Sequence, residues 1–268
     1  MTGNILKVNR ERHLLVHCIT NHVTSNDCAN LLLACGASPI MAEVPEEAAE
    51  ITAGCDALVL NLGTPNAGKI EAMLRAGAEA NHLGHPVVFD PVGVGGSAFR
   101  REAAQRLMQS VRMAVIRGNA NEIAALMHHG TASGGVDAAR PVSTDEAARL
   151  AVACADMNGA VVALTGDVDV VTDGKDTFLC RNGHPMMKQV TGAGCMLSAL
   201  CGAYVGGCPD RPLAAALTAV CAMGVCGERA RTRLGPMDGN AGYRNAIIDA
   251  MFHLTDEALA GEARYEVY

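Results

Sequence analysis

The chain has 268 residues and a formal net charge of −7; half of its residues are hydrophobic, 3% are aromatic and none is Trp. Ala, Val, Leu, Ile and Met must therefore build the core, and the acidic balance argues against general nucleic-acid binding, which needs a basic footprint. Eleven cysteines, an odd number with no C-x-x-C spacing, do not suit a closed disulfide framework, and most sit in apolar runs as small hydrophobes, the usage of a reducing cytosol.

His13 to Ile19 reads as a first strand running into the polar patch Thr20-Asn21-His22-Val23-Thr24, after which Ser25 caps a helix through Cys35 with Gly36 as its stop. Ser38 to Ala42 is short and extended, and Pro45-Glu46-Glu47 opens another helix with Pro early and acids in the first turn. Asp56 to Leu62 is an apolar strand, and 66–83 has helical spacing. Pro86 to Asp90 is a buried strand ending on a carboxylate, followed by the loop PVGVGGS and a helix over 98–110. Met113 to Ile116 makes a strand that ends on Arg117-Gly118-Asn119, with a helix from Glu122 to His128 after it.

Thr131 to Pro141 is the most loop-like stretch, a surface excursion with no domain boundary in it. Ser143-Thr144-Asp145-Glu146 matches a capping box and opens a helix to Asn158. Ala160 to Thr165 is a buried strand; Val168 to Thr172 and Thr177 to Arg181 form an antiparallel pair turning at Asp173-Gly174. A β-like, partly polar segment then enters the turn Thr191-Gly192-Ala193-Gly194-Cys195, which leads into two small-residue helices, about 195–205 and 213–230. A loop over 235–242 precedes one last amphipathic helix, 243–260. Alternating β and α elements with nearly continuous apolar strands predict an α/β fold, a mostly parallel sheet covered on both faces, within one domain spanning 1–268. The N-terminus lacks the order of a signal peptide, and the apolar runs are broken before bilayer length, so no membrane span is expected.

Ligands of open α/β sheets sit outside the carboxyl ends of the strands, and several polar groups fall there. Asn21 follows the first strand, Asp90 and Arg117 close two more, and Thr165-Gly166-Asp167 closes a fourth. The glycine turn adds an anion site if a helix begins near Cys195, because first-turn N–H groups lack intrahelical partners. Arg117 is either a fork for phosphate oxygens or an ordinary ion pair. Asp90 and Glu122 are hard oxygen donors suited to Mg²⁺ shared with phosphates, or else strand-end and helix-start acids. Thr165 is a nucleotide contact or a satisfied turn hydroxyl. Cys195 is a thiol favoured by helix N–H groups or a packing thiol. Scattered histidines, His128-His129 included, do not point to a metal site, and no Walker or first-strand G-x-G-x-x-G pattern is present.

The segments HCITN (17–21), GASPIMA (36–42), LNLGT (60–64), DPVGVG (90–95), IRGNANE (116–122), LTGDVDVV (164–171) and QVTGAGCMLSAL (189–200), in that order, resemble the hydroxyethylthiazole kinase family of the ribokinase-like superfamily. The resemblance implies a three-layer α-β-α sandwich and Mg²⁺-assisted, ATP-dependent phosphorylation of the primary hydroxyl of 4-methyl-5-(2-hydroxyethyl)thiazole in thiamine salvage. It also implies a cytoplasmic homotrimer with active sites at subunit interfaces. It assigns Met41, Asn21 and Gly192 to the thiazole, Arg117, Thr165 and Gly194 to ATP, and Asp90 and Glu122 to Mg²⁺. Cys195 then faces the substrate hydroxyl, where related sugar and pyrimidine kinases carry Asp. The family's Gly-Pro-Gly-Ser-Phe loop is replaced here by residues 235–243, Gly-Pro-Met-Asp-Gly-Asn-Ala-Gly-Tyr. Another small-molecule kinase, an ADP-dependent repair dehydratase of the same superfamily, and a non-catalytic nucleotide sensor are the competing readings.

Overall fold

Along the central strands, alternate side chains enter two separate apolar cores, the period of a sheet covered on both faces. In the computed structural model, which describes residues 3–127 and 142–268, Ala57 and Val59 face one core while Leu58 and Leu60 face the other. Val88 is likewise opposed to Val87 and Phe89, and Val161 and Ala163 to Val162 and Leu164. The predicted excursion over 131–141 and the pair His128-His129 lie outside the described residues.

The strands are β1 (Leu15–Ile19), β2 (Ser38–Ile40), β3 (Ala57–Asn61), β4 (Val87–Asp90), β5 (Val115–Asn119), β6 (Val161–Thr165), β7 (Asp169–Thr172), β8 (Thr177–Cys180) and β9 (Tyr265–Val267). They form one 9-stranded sheet in the order β2-β1-β3-β4-β5-β6-β7-β8-β9. Pairing is parallel from β2 to β6 and antiparallel from there on. The chain leaves β1 for β2 on one side and returns as β3 on the other, so the sheet's topological switch point lies between β1 and β3.

The helices before the sheet's midpoint are α1 (Ile5–Arg12), α2 (Ser25–Cys35), α3 (Ala48–Ala53), α4 (Ala67–Leu83), α5 (Ala98–Ser110) and α6 (Ala120–Met127). Those after it are α7 (Thr144–Asn158), α8 (Ala193–Gly207), α9 (Pro212–Arg233), α10 (Asn240–His253) and α11 (Asp256–Glu262). Buried residues of α2, α8, α9 and α10 fill one core, and those of α4, α5 and α7 the other. Each fully buried Leu, Ile or Phe among them contributes about 1.5–3 kcal/mol. The small residues of α8 let it lie directly on the sheet: a Cβ on Gly202 would stand 3.2 Å from Val16 Cγ1 and closer still to Val59. At 22 residues α9 is long and apolar enough to cross a bilayer by length and composition alone, but 78% of its most apolar stretch is buried inside the fold, as for a core helix.

Several expected boundaries hold closely, including α5 over 98–110 with its Ser97 cap and the complete capping box of Ser143 and Glu146 on α7. Others shift. Ser25 is the first residue of α2, not its cap; the capping position belongs to Thr24, whose side chain makes no cap bond. The segment before the glycine turn is a 3₁₀ helix, Pro185–Gln189, started by Pro185 and capped by the His184 side chain. The last predicted helix is two, because Thr255 accepts from the Ala258 N–H and starts α11 anew. The amphipathic α1 and the edge strand β9 had no expectation in the sequence reading.

Candidate active site

The two strands that flank the switch point end on asparagines that meet. Asn21 lies just past β1 and Asn61 ends β3, and Asn21 Nδ2 donates to Asn61 Oδ1 at 3.0 Å. Both amides also donate to Cys195 Sγ, each at 3.3 Å. Asn61 Nδ2 reaches Asp90 Oδ2 at 2.8 Å as well, and its Oδ1 accepts the Gly63 N–H at 2.9 Å. Parallel register explains the second contact, since Asn61 pairs with Asp90 across β3 and β4. Asn21 is held in turn by the Thr24 N–H and hydroxyl, both 3.1 Å from its Oδ1.

Asp90 is fully buried. Its Oδ2 accepts from Asn61 and, at 2.7 Å, from the Ser198 hydroxyl, and Arg117 Nη1 lies 3.7 Å away. Burial pushes its pKa up to about 6 despite the Arg117 charge and the Ser198 hydrogen bond, and Glu122 raises it further. Its Oδ1 is buried with no partner. A desolvated carboxylate oxygen left in that state is costly unless something fills the place. Arg117, inside β5 and not past its end as the sequence suggested, donates from Nη2 to Thr165 Oγ1 at 2.8 Å, while its buried Nε has no partner.

The glycine turn closes on this cluster. Gly192 caps α8 at φ 87, a backbone that favours glycine, and a Cβ there would stand 2.8 Å from Thr24 Cβ. α8 begins at Ala193, two residues earlier than expected. The Ala193 N–H is taken by Val190 O and that of Met196 by Gly192 O, which leaves those of Gly194 and Cys195 as first-turn donors without an intrahelical acceptor. Gly192 and Gly194 of this turn line a cleft of about 660 Å³ together with Arg117, Thr165, Asp169 and Lys188 among others. Burial raises the Cys195 pKa, Asp90 raises it further, and contacts with Thr24, Asn21 and Asn61 lower it in part. The thiol is therefore protonated near neutral pH.

Two residues singled out in the sequence stand apart. Met41 follows the edge strand β2, is 38% exposed and does not line the cleft. Glu122 spends Oε1 on the Gly93 N–H at 3.0 Å and Oε2 on the Asn119 N–H at 2.9 Å, and its own N–H returns to Asn119 Oδ1. It thus braces the glycine-rich loop against α6 while contributing negative charge toward Asp90. Among the described residues no group of three or more His, Cys, Asp or Glu is placed to hold a metal ion by itself.

The sequence reading missed Asn61, Ser198 and Asp169. Asn61 was detectable by the strand-end rule that found Asp90, but Leu62 extended the apparent strand past it. Ser198 stands one helical turn beyond Gly194, whose carbonyl its hydroxyl also approaches at 3.2 Å. Asp169 lies in the cleft wall, with burial pushing its pKa up to about 6 against the Gly166 N–H and the Arg117 charge. On the rim, Lys188 and Asp167 pair at 2.6 Å with both side chains exposed, an arrangement that contributes little to stability.

The chain is similar to known proteins along most of its length. Residues 6–257 match the profile of the Hydroxyethylthiazole kinase family. A hydroxyethylthiazole kinase of Clostridium acetobutylicum is 49% identical over 259 residues, covering 95% of each chain. A hydroxyethylthiazole kinase structure from Pyrococcus horikoshii superposes with a TM-score of 0.90 at 35% identity, over 100% of this chain and 98% of that one. A ribokinase-like superfamily protein of Enterococcus faecalis, at 11% identity and TM-score 0.61 over 88% and 86% of the chains, shares the α/β fold.

Proposed function

The chain belongs to the hydroxyethylthiazole kinase family, and from that premise we propose that it transfers the γ-phosphoryl group of ATP to the primary hydroxyl of 4-methyl-5-(2-hydroxyethyl)thiazole, in thiamine salvage. The observation that carries this reading is the convergence of three groups on one turn. The Gly194 and Cys195 N–H groups, the Arg117 guanidinium with its unpartnered Nε, and the Cys195 sulfur all belong to one connected cluster.

Phosphoryl transfer has a loose transition state and asks chiefly for positioning and charge neutralisation. In this reading ATP occupies the cleft, its phosphates meet Arg117 and the turn's N–H groups, and Thr165 holds the guanidinium in plane. Gly192 lets Thr24 close against the turn on the substrate side, and Asn21 and Asn61 aim Cys195 Sγ at the thiazole hydroxyl. The hydroxyl oxygen bonds phosphorus as the bond to the bridging β–γ oxygen breaks, ADP leaves with that bond's electron pair, and the hydroxyl proton is released to solvent once the new P–O bond forms. A protonated Cys195 holds that hydroxyl in line and does not remove its proton beforehand. The orphaned Asp90 Oδ1 fits a divalent cation, and Asp90 would hold Mg²⁺ there, with Glu122 adding negative charge from behind. When bound, Mg²⁺ offsets the charge of the phosphate oxygens.

We read the exposed apolar residues about edge strand β2, namely Val23, Met41 and Val44, as a face covered by another copy in a homotrimer, with Met41 completing a thiazole pocket there. Light scattering at three times the 27.8 kDa chain mass tests the assembly. The free, buried thiols support a cytoplasmic enzyme. The activity is tested by ADP formation from purified protein, which should need ATP, the thiazole alcohol and Mg²⁺ together; ATP binding without transfer to any alcohol would sink the proposal in favour of a nucleotide sensor.

A further inference from the structure

Lys69 is a charged residue where none is expected. It sits in the first turn of α4, its N–H bonded to the Asn66 cap at 2.9 Å, and is 2% exposed. Burying an ammonium is costly unless it is paired and hydrogen-bonded. Nζ donates to Thr20 O at 2.8 Å and lies 2.8 Å from Glu43 Oε2. Those two partners belong to different strand exits. Thr20 immediately precedes Asn21, whose amide holds Cys195. Glu43 is two residues past Met41, on the chain leaving β2. Between them, the Ala42 carbonyl is held from a third direction by buried His17, Nε2 to O 2.7 Å. The Glu43 carboxylate has a second neighbour, His22 Nε2, at 3.7 Å from Oε1.

We propose that Lys69 is a positioning residue of the thiazole site: its ammonium ties the exit of β1, which carries Asn21, to the exit of β2, which carries Met41, and so sets the enzyme's affinity for the thiazole alcohol. The inference rests on the proposed function. Neither exit segment is held to the other by sheet hydrogen bonds, because the β1–β2 ladder ends at His17 and Ile40. The lysine crosses that gap. Its contacts are a carbonyl and a carboxylate on the sheet's ligand-binding edge, away from the nucleotide cleft, whose walls include neither Lys69 nor Glu43. The effect should therefore fall on one substrate and spare the other.

The test uses the full chain with Lys69→Met, Glu43→Ala and Glu43→Gln, measuring KM for each substrate and, by calorimetry, thiazole affinity without nucleotide. Misplacing a binding group by about 1 Å costs up to about a hundredfold. Lys69→Met and Glu43→Ala should weaken thiazole binding and raise its KM about tenfold or more, with KM for ATP within about twofold of wild type. Glu43→Gln, whose amide oxygen still accepts from Nζ, should recover most of the loss. Unchanged thiazole affinity in a folded Lys69→Met overturns the proposal, as do equal losses for both substrates. If Lys69→Met does not fold, Glu43→Ala at the more exposed end decides the matter by the same measurements. Wild-type protein that binds the thiazole without phosphorylating it refutes the proposed function alone, and wild-type protein that does neither refutes both.

Discussion

Arg117 lies flat against the backbone of Gly194: a Cβ on residue 194 would stand 2.6 Å from Nη2 and 2.8 Å from Cζ of the guanidinium. No side chain can be added there without moving the arginine. The glycine thus serves the arginine's position as much as the turn's conformation, since Gly194 is not among the glycines with positive φ. Gly194→Ala should displace the guanidinium and lower kcat/KM for ATP by about 10–100-fold. Arg117→Ala should do at least as much, and both should leave thiazole affinity within about threefold, as measured by calorimetry. A larger loss for the thiazole than for ATP would show that the two substrates have been assigned to the wrong sides.

Cys195→Ser keeps a hydrogen-bonding atom in place but shortens it relative to the two asparagine donors, set at 3.3 Å from sulfur. Turnover should fall by about tenfold or more with thiazole KM little changed, because the hydroxyl is held less well in line. Steady-state kinetics decide this, and wild-type rates would leave Cys195 with a packing role only.

Asp90 should carry the response to metal. Asp90→Asn keeps the volume and loses the charge, so activation by Mg²⁺ should weaken by at least about a hundredfold. In the wild type, protonation below about 6 removes the same charge. The Mg²⁺ concentration for half-activation should therefore rise as pH falls through 6, by up to about tenfold per unit. Removal of divalent ions with a chelator should stop turnover, and added Mg²⁺ should restore it.

Asp169 makes a separate prediction about stability. Its folded pKa of about 6 lies above the ordinary carboxyl value, chiefly because of burial. The folded state therefore binds the proton more tightly, and the stabilisation present below the ordinary value is lost as pH rises through 6. Asp169→Asn retains an acceptor for the Gly166 N–H, 2.9 Å away, and cannot ionise. Relative to wild type it should gain stability of order 1 kcal/mol between pH 4 and 7. Urea denaturation at both pH values measures the difference, and a constant offset would exclude the ionisation as its cause.

How much of this was legible beforehand varies by residue. α7 and the antiparallel hairpin of β7 and β8 were read from local chemistry, a capping box and an Asp-Gly turn, and α5 from the glycine-rich loop before it, because those signals act within a few residues. The split of the last helix at Thr255 was visible only in principle, since a threonine inside an apolar period is as easily a helical residue as a cap. β9 escaped because three residues carry no period; it exists through its pairing with β8, at Phe178 and Cys180 among others.

Sequence alone determined the alternation of elements, the strand-end placement of Asn21, Asp90 and Thr165, and the family, because hydrophobic period, capping chemistry and ordered motifs are properties of neighbours along the chain. The tertiary structure decided which of those groups meet. Asn61 meets Asp90 and, 134 positions along the chain, Cys195; Arg117 lies over Gly194, and Lys69 reaches Thr20 and Glu43. Those contacts depend on the parallel register of β3 on β4 and on how closely α8 approaches the sheet. Register and approach are set by packing between segments distant in sequence, and no local pattern encodes them.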